Sequence, residues 1–452
     1  ILGKAKDDIS ILMTYVSIDK YLKKNGRLGF LITQSVFKTG GCGKGFRQFL
    51  LPDGTPIQVV YVDDMVKLKP FEGVGNRTSI VILQKGRRTK YPVPYNYWVK
   101  KVKGVNIKDD LRLEEVIERA TYKQFYAEPV DKNDFTSSWI TGRPKAIKAV
   151  KKVLGQSDYI AHAGCYSGGS NAVYWVDIVS KRTDGFVIIS NITEGAKIEV
   201  ESIQAVIESD LLYPLLRGRD VKKWRAEPSA FVLITHLPKM RLNAISEDKM
   251  RMLYPKTYLY LKRFEEVLRK RAAFKRYFSR RDIRGGKIIE TGPFYSMFDI
   301  GDYTFSPYKV VWTRIANIEV AVVSQKDGKP IIPQETITLV ALDNKEEAHY
   351  LAAMVNSTPF QYAAASYSQK GGKSMGSMHV LQMIRIPKFS PKDPIHFKLS
   401  ELSQRAHQAT AEGNMKKVKE IEEKIDYYAA KLWGLTEQEL KDIKDSLKEL
   451  NE

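Results

Sequence analysis

The stretch IQVVYVDDMVKLKPFEGVGNRTSIVILQK, residues 57–85, decides the fold class because it places two apolar runs on either side of one turn. Both runs, 57–64 and 78–85, are rich in β-branched residues and predict strands. Phe71 precedes the glycine-rich turn between them. That turn leads into a strand, so no helix N-terminus is available to hold a phosphate. On the residues alone, Phe71 is predicted to be a core side chain.

The residues upstream extend this pattern into an α/β layer. Residues 7–25 predict a helix that ends at Asn25-Gly26, and LGFLIT (28–33) predicts another buried strand. GKGFRQFLL (43–51) predicts a short helix after a glycine-rich loop. The order helix, strand, helix, strand, strand is that of the back half of an α/β domain.

The remainder of the chain predicts three kinds of segment. Residues 91–139 are polar and contain three prolines, so they predict a connector. From about 140 to 390, short strands, many turns and one long basic helix (258–278) predict a mixed α+β domain. Beyond Pro387, apolar residues three and four apart predict a helical hairpin or short coiled coil. The expected domains are therefore 1–135, 140–390 and a helical tail at 393–452.

The charge balance points to a polyanionic partner. The chain has 452 residues, with 73 Lys plus Arg against 52 Asp plus Glu, for a net charge of +21. Hydrophobic residues make up 43% of it, which argues against disorder. DNA, RNA and anionic membranes all attract such a surplus. Because the basic residues are spread along the chain and no apolar run approaches the length of a membrane span, nucleic acid is favoured.

The cysteine and histidine content predicts neither a disulfide framework nor a metal site. Cys42 and Cys165 are the two cysteines, and the six histidines are scattered without metal-ligand spacing. This usage predicts a reducing, cytoplasmic setting. The first residues, Ile1-Leu2-Gly3, lack a methionine and a signal-peptide pattern, which predicts an upstream portion.

The loop GGCGKGF (40–46) does not match a phosphate-binding loop. That motif needs four residues between its first glycine and Gly-Lys, followed by Ser or Thr, whereas Gly43-Lys44 is followed by Gly45. Two interpretations of Lys44 remain open. The loop is either a surface turn or a flexible basic loop beside a ligand or a DNA backbone.

Three basic clusters carry the nucleic-acid prediction: 217–225, 269–284 and 369–373. Each alone is more often a solvated face, but together, with aromatic residues interleaved, they favour nucleic acid. Phosphate positioning without sequence readout is the simplest role for such cations. The candidate contacts are Arg217, Arg219, Lys222, Lys223, Trp224, Arg314, Lys370 and Lys373.

Catalytic motifs are nearly absent from the sequence. It contains no G-x-S-x-G, no H-E-x-x-H and no Cys/His pair with a local signature. Asp63-Asp64 ends a predicted strand, and such paired acids serve more often as turn residues or as partners of other side chains than as a catalytic dyad.

The order of several segments nevertheless resembles a known family. DDISILMTYVSIDKYLKKNGRLGFLITQSVFKT (7–39), GKGFRQFLL and VVYVDDMVKLKPFEGVGNRTSIVILQKG (59–86) resemble the later catalytic-domain segments of adenine-specific DNA methyltransferases. The similarity is to the large single-chain type found in restriction-modification systems. GCYSGGSNAVYWVDI (164–178), LLYPLLRGRDVKKW (211–224) and YLAAMVNSTPFQY (350–362) resemble their target-recognition domain, and KIDYYAAKLWGLTEQEL (424–440) resembles their helical end.

The resemblance implies a function in DNA methylation. Such enzymes flip an adenine out of the duplex, and its N6 attacks the methyl group of S-adenosylmethionine. By position, Phe71 matches the aromatic that stacks on the flipped base. The resemblance also implies an Asn-Pro-Pro-aromatic motif and a glycine-rich first strand, and neither is present in these 452 residues. We therefore expect a C-terminal part that binds duplex DNA, holds no cofactor itself and is inactive without a missing catalytic or nuclease portion.

Two alternatives from other classes remain. A stand-alone module that recognises a DNA sequence for a partner enzyme has no need of the methyltransferase-like segment at residues 1–85. A subunit of an RNA-modifying enzyme would prefer RNA, whose A-form duplex hides its major groove.

Overall fold

The chain forms two compact units that interleave along the sequence. The computed structural model describes residues 9–39, 42–71, 77–102, 104–105, 107, 110–240, 243–281, 288–314, 318–367 and 376–451. Unit 1 comprises Ile1–Leu154, Thr358–Gly372 and Trp433–Glu452, and unit 2 comprises Gly155–Ser357 and Lys373–Leu432. The sequence instead predicted three consecutive domains.

Two late helices explain the interleaving, because they pack within unit 1. Helix Thr358–Tyr367 lies against helix Glu437–Asn451, which also contacts helix Pro144–Val150. Ser446 Oγ donates a hydrogen bond to Tyr362 Oη at 3.1 Å. These contacts join positions that are far apart in the chain, 84 residues for Tyr362 and Ser446, which local patterns in a sequence do not reveal.

A six-stranded sheet forms the centre of unit 1. Its spatial order is β1-β3-β2-β4-β5-β6. Its strands are β1 (Arg27–Thr33), β2 (Ile57–Asp64), β3 (Thr78–Lys85), β4 (Val93–Lys100), β5 (Ala120–Pro129) and β6 (Trp139–Gly142), and its other helices are Ile9–Tyr21, Ser35–Lys38, Cys42–Phe46 and Leu113–Arg119.

The three predicted strands of this unit are confirmed, whereas the predicted connector is wrong. Residues 91–139 contain β4, β5 and the start of β6. Buried and half-buried residues alternate along β4, because its apolar side chains recur with the two-residue period of a strand. Polar residues and prolines between them hid this period. Strand β3 pairs antiparallel with both β1 and β2, and β2 pairs parallel with β4, so the carboxyl ends of β1, β2 and β4 share one edge.

Unit 2 contains two larger sheets and several short hairpins. The sheet orders are β10-β9-β8-β14-β11-β21 and β18-β17-β22-β7. The strands are β7 (His162–Ala163), β8 (Trp175–Lys181), β9 (Phe186–Asn191), β10 (Gln204–Glu208), β11 (Leu212–Leu216), β12 (Val221–Lys222), β13 (Arg225–Ala226), β14 (Ala230–Leu233), β15 (Ser279–Arg281), β16 (Ile288–Glu290), β17 (Tyr308–Thr313), β18 (Ala321–Val323), β19 (Gln325–Lys326), β20 (Lys329–Pro330), β21 (Ile332–Pro333) and β22 (Ile337–Leu342).

The long basic helix predicted at 258–278 is divided into three. Phe264 and Arg271 leave the helical conformation and separate the segments. The segments nevertheless share an apolar face, since Leu261, Phe264 and Leu268 are buried in the core of the first sheet. The helices of unit 2 are Asn171–Tyr174, Glu247–Leu253, Pro255–Arg263, Glu265–Lys270, Ala272–Phe278, Lys345–Asn356, Met378–Gln382, Pro394–Ala411 and Met415–Leu432.

The predicted helical hairpin is confirmed. Helices Pro394–Ala411 and Met415–Leu432 pack against each other, and Val418, Ile421 and Ile425 are buried. Gly434 has a φ of +68°, a conformation that glycine adopts without strain. The chain then continues into helix Glu437–Asn451, which packs in unit 1, so the predicted tail belongs to both units.

Candidate active-site wall and nucleic-acid interface

Phe71 lies in the loop that follows the carboxyl end of β2. Its side chain is 39% exposed, so it does not belong to the core. Carboxyl ends of parallel strands are where open α/β sheets bind ligands. Residues 72–76, the glycine-rich part of the turn, lie outside the described residues. The core role predicted from the residues alone is therefore wrong, and the side chain is available to a ligand.

Asp64, at the end of β2, is the centre of a buried polar group beside this loop. It accepts hydrogen bonds from Gln34 Nε2 at 2.5 Å and from Tyr95 Oη at 2.6 Å. Burial raises the pKa of Asp64, whereas these bonds act to lower it. Within the part of the chain that the structure describes, Gln34 Oε1 and Ser79 Oγ have no hydrogen-bond partner. The sequence showed the acid at the strand end but not its partners.

Lys38 is a second buried polar residue of unit 1 that sequence reasoning missed. Its Nζ donates to Trp139 O at 3.1 Å, Thr141 Oγ1 at 2.9 Å and Ser366 O at 2.7 Å. Burial lowers the pKa of Lys38 to about 7. Two of these acceptors lie in β6 and the third lies in helix Thr358–Tyr367, both far from Lys38 in the sequence. Lys38 therefore joins that helix to the sheet.

Lys44, predicted to contact a ligand or DNA, lies in helix Cys42–Phe46. Its Nζ is 3.3 Å from Asp134 Oδ2, and its side chain is 62% exposed. An exposed ion pair of this kind contributes little to stability and exchanges readily for another anion. The geometry therefore leaves Lys44 able to meet a phosphate.

The predicted contacts Arg217 and Arg219 occupy one turn that follows β11, but only one is exposed. Arg217 donates to Ser229 Oγ at 2.7 Å, and its side chain is 12% exposed. Burial lowers the pKa of Arg217. The side chain of Arg219 is 71% exposed and lies 4.0 Å from Asp220. Arg217 therefore shapes the turn, while Arg219 is free to bind an anion.

The next three candidates lie at the hairpin formed by β12 and β13, and their side chains also differ in exposure. Lys222 is exposed. Lys223 forms an ion pair with Glu422 at 2.7 Å, and Trp224 Nε1 donates to the same Glu422 oxygen at 2.8 Å. Trp224 is 2% exposed and packs edge-on against His407 with ring centroids 5.4 Å apart. Trp224 is thus a buried anchor that cannot stack on a base in this conformation.

Arg314 follows β17 and joins a group of loops in unit 2. Its NH1 donates to Glu335 O at 3.2 Å. Gln334 and Thr336 flank Glu335, and Gln334 N donates to Leu216 O at 3.0 Å, next to the Arg217–Asp220 turn. Two separate predictions, Arg314 and the Arg217–Asp220 turn, therefore meet at one site. The other two predicted contacts, Lys370 and Lys373, lie outside the described residues.

The glycine-rich loop Gly164–Ser170 reaches the same site. Gly164 N donates to Ile337 O at 3.0 Å, and Cys165 N donates to Pro333 O at 2.8 Å. A Cβ at position 164 would overlap the carbonyl oxygens of Pro333 and Gln334, so only glycine permits this close approach. We call the set Ser170, Asn171, Arg314, Gln334, Glu335 and Thr336 the loop cluster.

The described residues also bear on two other kinds of partner, metal ions and membranes. In the described ranges, no group of three His, Cys, Asp or Glu side chains is arranged to hold a metal ion. In the same ranges, no helix is both long enough and apolar enough to cross a membrane.

Comparisons with known proteins relate this geometry to methyltransferases. No protein-family model matches the chain. The Type II methyltransferase M.NspV from Nostoc sp. is 27% identical over 154 residues, which is 34% of this chain and 28% of M.NspV.

A solved structure extends the likeness to the whole fold. The Type IIL restriction-modification enzyme MmeI, solved in complex with DNA, matches with a TM-score of 0.52 at 10% identity, over 100% of this chain and 56% of that one. The chain thus spans 28% of one relative and 56% of the other. The chain is therefore similar in sequence to a Type II methyltransferase and similar in fold to a Type IIL restriction-modification enzyme.

Proposed function

We propose that this chain is the C-terminal part of a site-specific adenine-N6 DNA methyltransferase from a restriction-modification or phage-defence system, and that unit 2 binds duplex DNA and reads its target. The observation that supports this most is the convergence in unit 2 of the loop cluster with the Arg217–Asp220 turn. Arg219 and Lys222 offer exposed cations beside polar side chains. Phosphate contacts with neighbouring base-reading groups are the requirement for site-specific DNA binding.

Unit 1 supplies the side chain proposed to receive the flipped adenine. Phe71 is partly exposed in the loop that follows β2, the strand that ends at Asp64. A flipped base needs an aromatic face to replace the stacking it loses in the duplex. In this proposal Phe71 provides that face, while Asp64 holds Gln34 and Tyr95 in place. Lys44 supplies an additional phosphate contact.

S-adenosylmethionine is the methyl donor that the proposed activity requires in the full-length enzyme. The residues that follow β1, β2 and β4 are Gln34, Met65 and Lys101. None of these positions opens a glycine-rich turn that leads into a helix, which is the arrangement that accommodates a nucleotide cofactor, and the turn after β2 leads into strand β3 instead. The residues described here therefore do not fit this cofactor, and we assign no step of methyl transfer to them.

An exposed apolar stripe on the first helix supports a further catalytic portion. In helix Ile9–Tyr21, one face is buried, yet Ile9, Leu12, Met13 and Val16 on another face are between 44% and 73% exposed. Their spacing places them side by side. A helix that is apolar on two faces is normally covered on both. We propose that another part of the methyltransferase covers this stripe.

A stand-alone recognition module is the second candidate. The missing cofactor turn favours it, because such a module needs no methyl donor. The six-stranded sheet of unit 1, with a partly exposed aromatic in the loop after β2, favours the methyltransferase part instead.

Duplex binding measured against salt concentration tests the proposal. We expect labelled random-sequence duplex DNA to bind the full chain, with log Kd rising linearly with log salt, because phosphate contacts release counterions. An RNA duplex of the same length is the matched control and should bind more weakly. Salt-independent binding, absence of binding, or preference for RNA would each contradict the proposal.

Calorimetry with S-adenosylmethionine separates the two candidates. The protein measured is a longer one, expressed from a gene that also includes the coding region upstream of Ile1. Cofactor binding by that longer protein supports the methyltransferase, whereas its failure to bind supports the recognition module.

A further inference from the structure

The loop cluster contains polar atoms that the folded protein leaves unpaired. Within the described residues, Gln334 Oε1, Glu335 Oε2 and Ser170 Oγ are shielded from water and have no hydrogen-bond partner. Gln334 is 8% exposed and Ser170 is 1% exposed. Leaving a buried polar atom unpaired is unfavourable, and native proteins do so at few positions. Three such atoms in one group of loops indicate a ligand that completes their bonding.

The hydrogen bonds that the neighbouring donors make go to other acceptors. Gln334 Nε2 donates to Thr336 Oγ1, which leaves only the amide oxygen of Gln334 free. Arg314 NH1 donates to the backbone oxygen of Glu335 rather than to its carboxylate. Ser167 Oγ donates to Asn171 Oδ1 at 2.5 Å. Asn171 interacts with the Glu335 carboxyl, but Oε2 still has no partner.

The backbone around these atoms is closely packed. Gly164 approaches the carbonyl groups of Pro333 and Gln334 with no room for a Cβ. A Cβ at Gly218 would lie 3.1 Å from Thr336 Oγ1. Gln334 N is also bonded to Leu216 O at 3.0 Å. Because the backbone is held from two sides, the side chains of Gln334 and Glu335 start from fixed backbone positions, as readout of a base requires.

The chemistry of the unpaired atoms selects the class of ligand. Gln334 Oε1 and a carboxylate oxygen of Glu335 accept hydrogen bonds, so they repel phosphate oxygens and attract donors. Burial raises the pKa of Glu335, and the nearby Asp299 carboxyl raises it further, so an added donor would relieve this environment. A metal ion is disfavoured, since no suitable group of three ligands occurs among the described residues.

DNA bases offer such donors in only some cases. In the major groove, cytosine presents its N4 amine and adenine its N6 amine, whereas guanine presents O6 and N7, and thymine presents O4 and a methyl group. We infer that Glu335 and Gln334 accept hydrogen bonds from one exocyclic amine and thereby select cytosine or adenine at one position of the target. This inference rests on the proposed DNA binding by unit 2.

Selection from a pool of random-sequence duplexes, followed by sequencing of the bound fraction, tests this inference. The wild-type chain should enrich sites with at least one position restricted to cytosine or adenine. The variant Glu335→Gln can donate as well as accept, so guanine and thymine should become tolerated there. We expect that position to lose roughly 5- to 150-fold of its preference, while the other positions keep theirs.

Three further variants make the result specific. Gln334→Met removes the second acceptor without adding a charge, and it should relax the same position. Glu227→Gln is the matched control, because Glu227 is an exposed acid that pairs with Arg225 on the nearby hairpin, and it should change no preference. Arg219→Ala should weaken binding equally for all sequences.

The outcomes separate this inference from the proposed function. If the wild-type chain enriches no duplex sequence, the proposed function fails. If it enriches a site but Glu335→Gln and Gln334→Met, both folded by thermal unfolding, leave every position unchanged, the inference is wrong while DNA reading stands. A uniform loss of affinity in both variants would also overturn it, because that result assigns these residues to structure.

Discussion

Two basic segments of unit 2 look alike in the sequence but differ in the structure. Arg217–Arg225 forms a turn and a hairpin beside the loop cluster, with Arg219 and Lys222 exposed. In the segment 269–278, Arg269 pairs with Glu265 and Glu290, and Lys270 pairs with Glu266. Each of those cations already has an acidic partner.

The difference shows that a count of basic residues overstates the charge available to DNA. Arg271, in the second segment, is 2% exposed and donates to three backbone carbonyl groups. Lys223 in the first segment is similarly bound to Glu422. Helical neighbours three or four residues away pair easily, which removes charge from helices more than from turns. The turn is therefore the better candidate for DNA contact.

The largest expected effect is on stability, at Trp224 near the end of the segment Arg217–Arg225. Trp224→Ala should lower the free energy of unfolding by about 3–5 kcal/mol, because it removes a buried aromatic side chain. Urea unfolding measures this loss. Trp224→Phe is the control: it keeps most of the packing, loses the bond to Glu422, and should leave duplex affinity unchanged. A loss of affinity in that variant as large as in Arg219→Ala would make Trp224 a DNA contact.

Arg271 provides the matching test in the second segment. Arg271→Met should destabilise unit 2 by about 3 kcal/mol, since the carbonyl groups of Ser167, Leu268 and Phe294 lose their donor. Thermal unfolding of the variant measures the effect, with the exposed Arg276→Met as control. Unchanged stability together with weaker DNA binding would reverse the assignment and place Arg271 at the interface.

Lowering the pH should destabilise the packing around Trp224, the buried residue that anchors the segment Arg217–Arg225. Burial lowers the pKa of His407, which packs on Trp224, to about 4, and that of its neighbour His349 to about 3. An unfolded histidine has a pKa near 6.5. Below about pH 6.5 these histidines bind protons in the unfolded chain but stay neutral in the folded chain. The free energy of unfolding therefore falls as the pH drops from about 6.5 towards 4.

The expected loss is on the order of 2 kcal/mol per histidine at pH 5. Unfolding measured at pH 7 and pH 5 for the wild type and for a variant with His349→Gln and His407→Gln isolates the effect. The variant should lose less stability on acidification. Equal losses in the two proteins would show that these histidines are accessible to protons in the folded state.

One pair of variants compares the cations of the two segments directly. Arg219→Ala should reduce the slope of log Kd against log salt by about 1, because one phosphate contact is lost. Lys270→Ala should leave that slope and the stability nearly unchanged, because an exposed ion pair contributes little. Anisotropy titrations at several salt concentrations measure both. The reverse order would make the helical segment the DNA contact.

The smallest expected effect is at Phe71 in unit 1. Phe71→Ala should change stability by about 0.5 kcal/mol or less, because the side chain is 39% exposed. It should also leave duplex affinity unchanged, since an unflipped duplex does not reach a stacking residue. A large loss of stability on urea unfolding would return Phe71 to the core.

The sequence by itself determined the local elements that have strong periodicity. It identified β1, β2 and β3 and the helical hairpin near the C-terminus, because the spacing of apolar residues shows which side of an element is buried. It also indicated a basic, DNA-directed surface and the family resemblance. It missed β4 and β5, where prolines and polar residues obscure a two-residue period.

Only the tertiary structure decided which polar side chains are satisfied and which are left for a ligand. Trp224 is buried because Glu422, almost 200 positions later, accepts its hydrogen bond. Among the described residues, Gln334 Oε1 and Glu335 Oε2 are unpaired although loops from distant parts of the chain surround them. Burial and pairing depend on contacts between positions far apart in the chain. Residue types and their spacing therefore indicate candidate site residues, whereas the fold determines which of them are buried, paired or exposed.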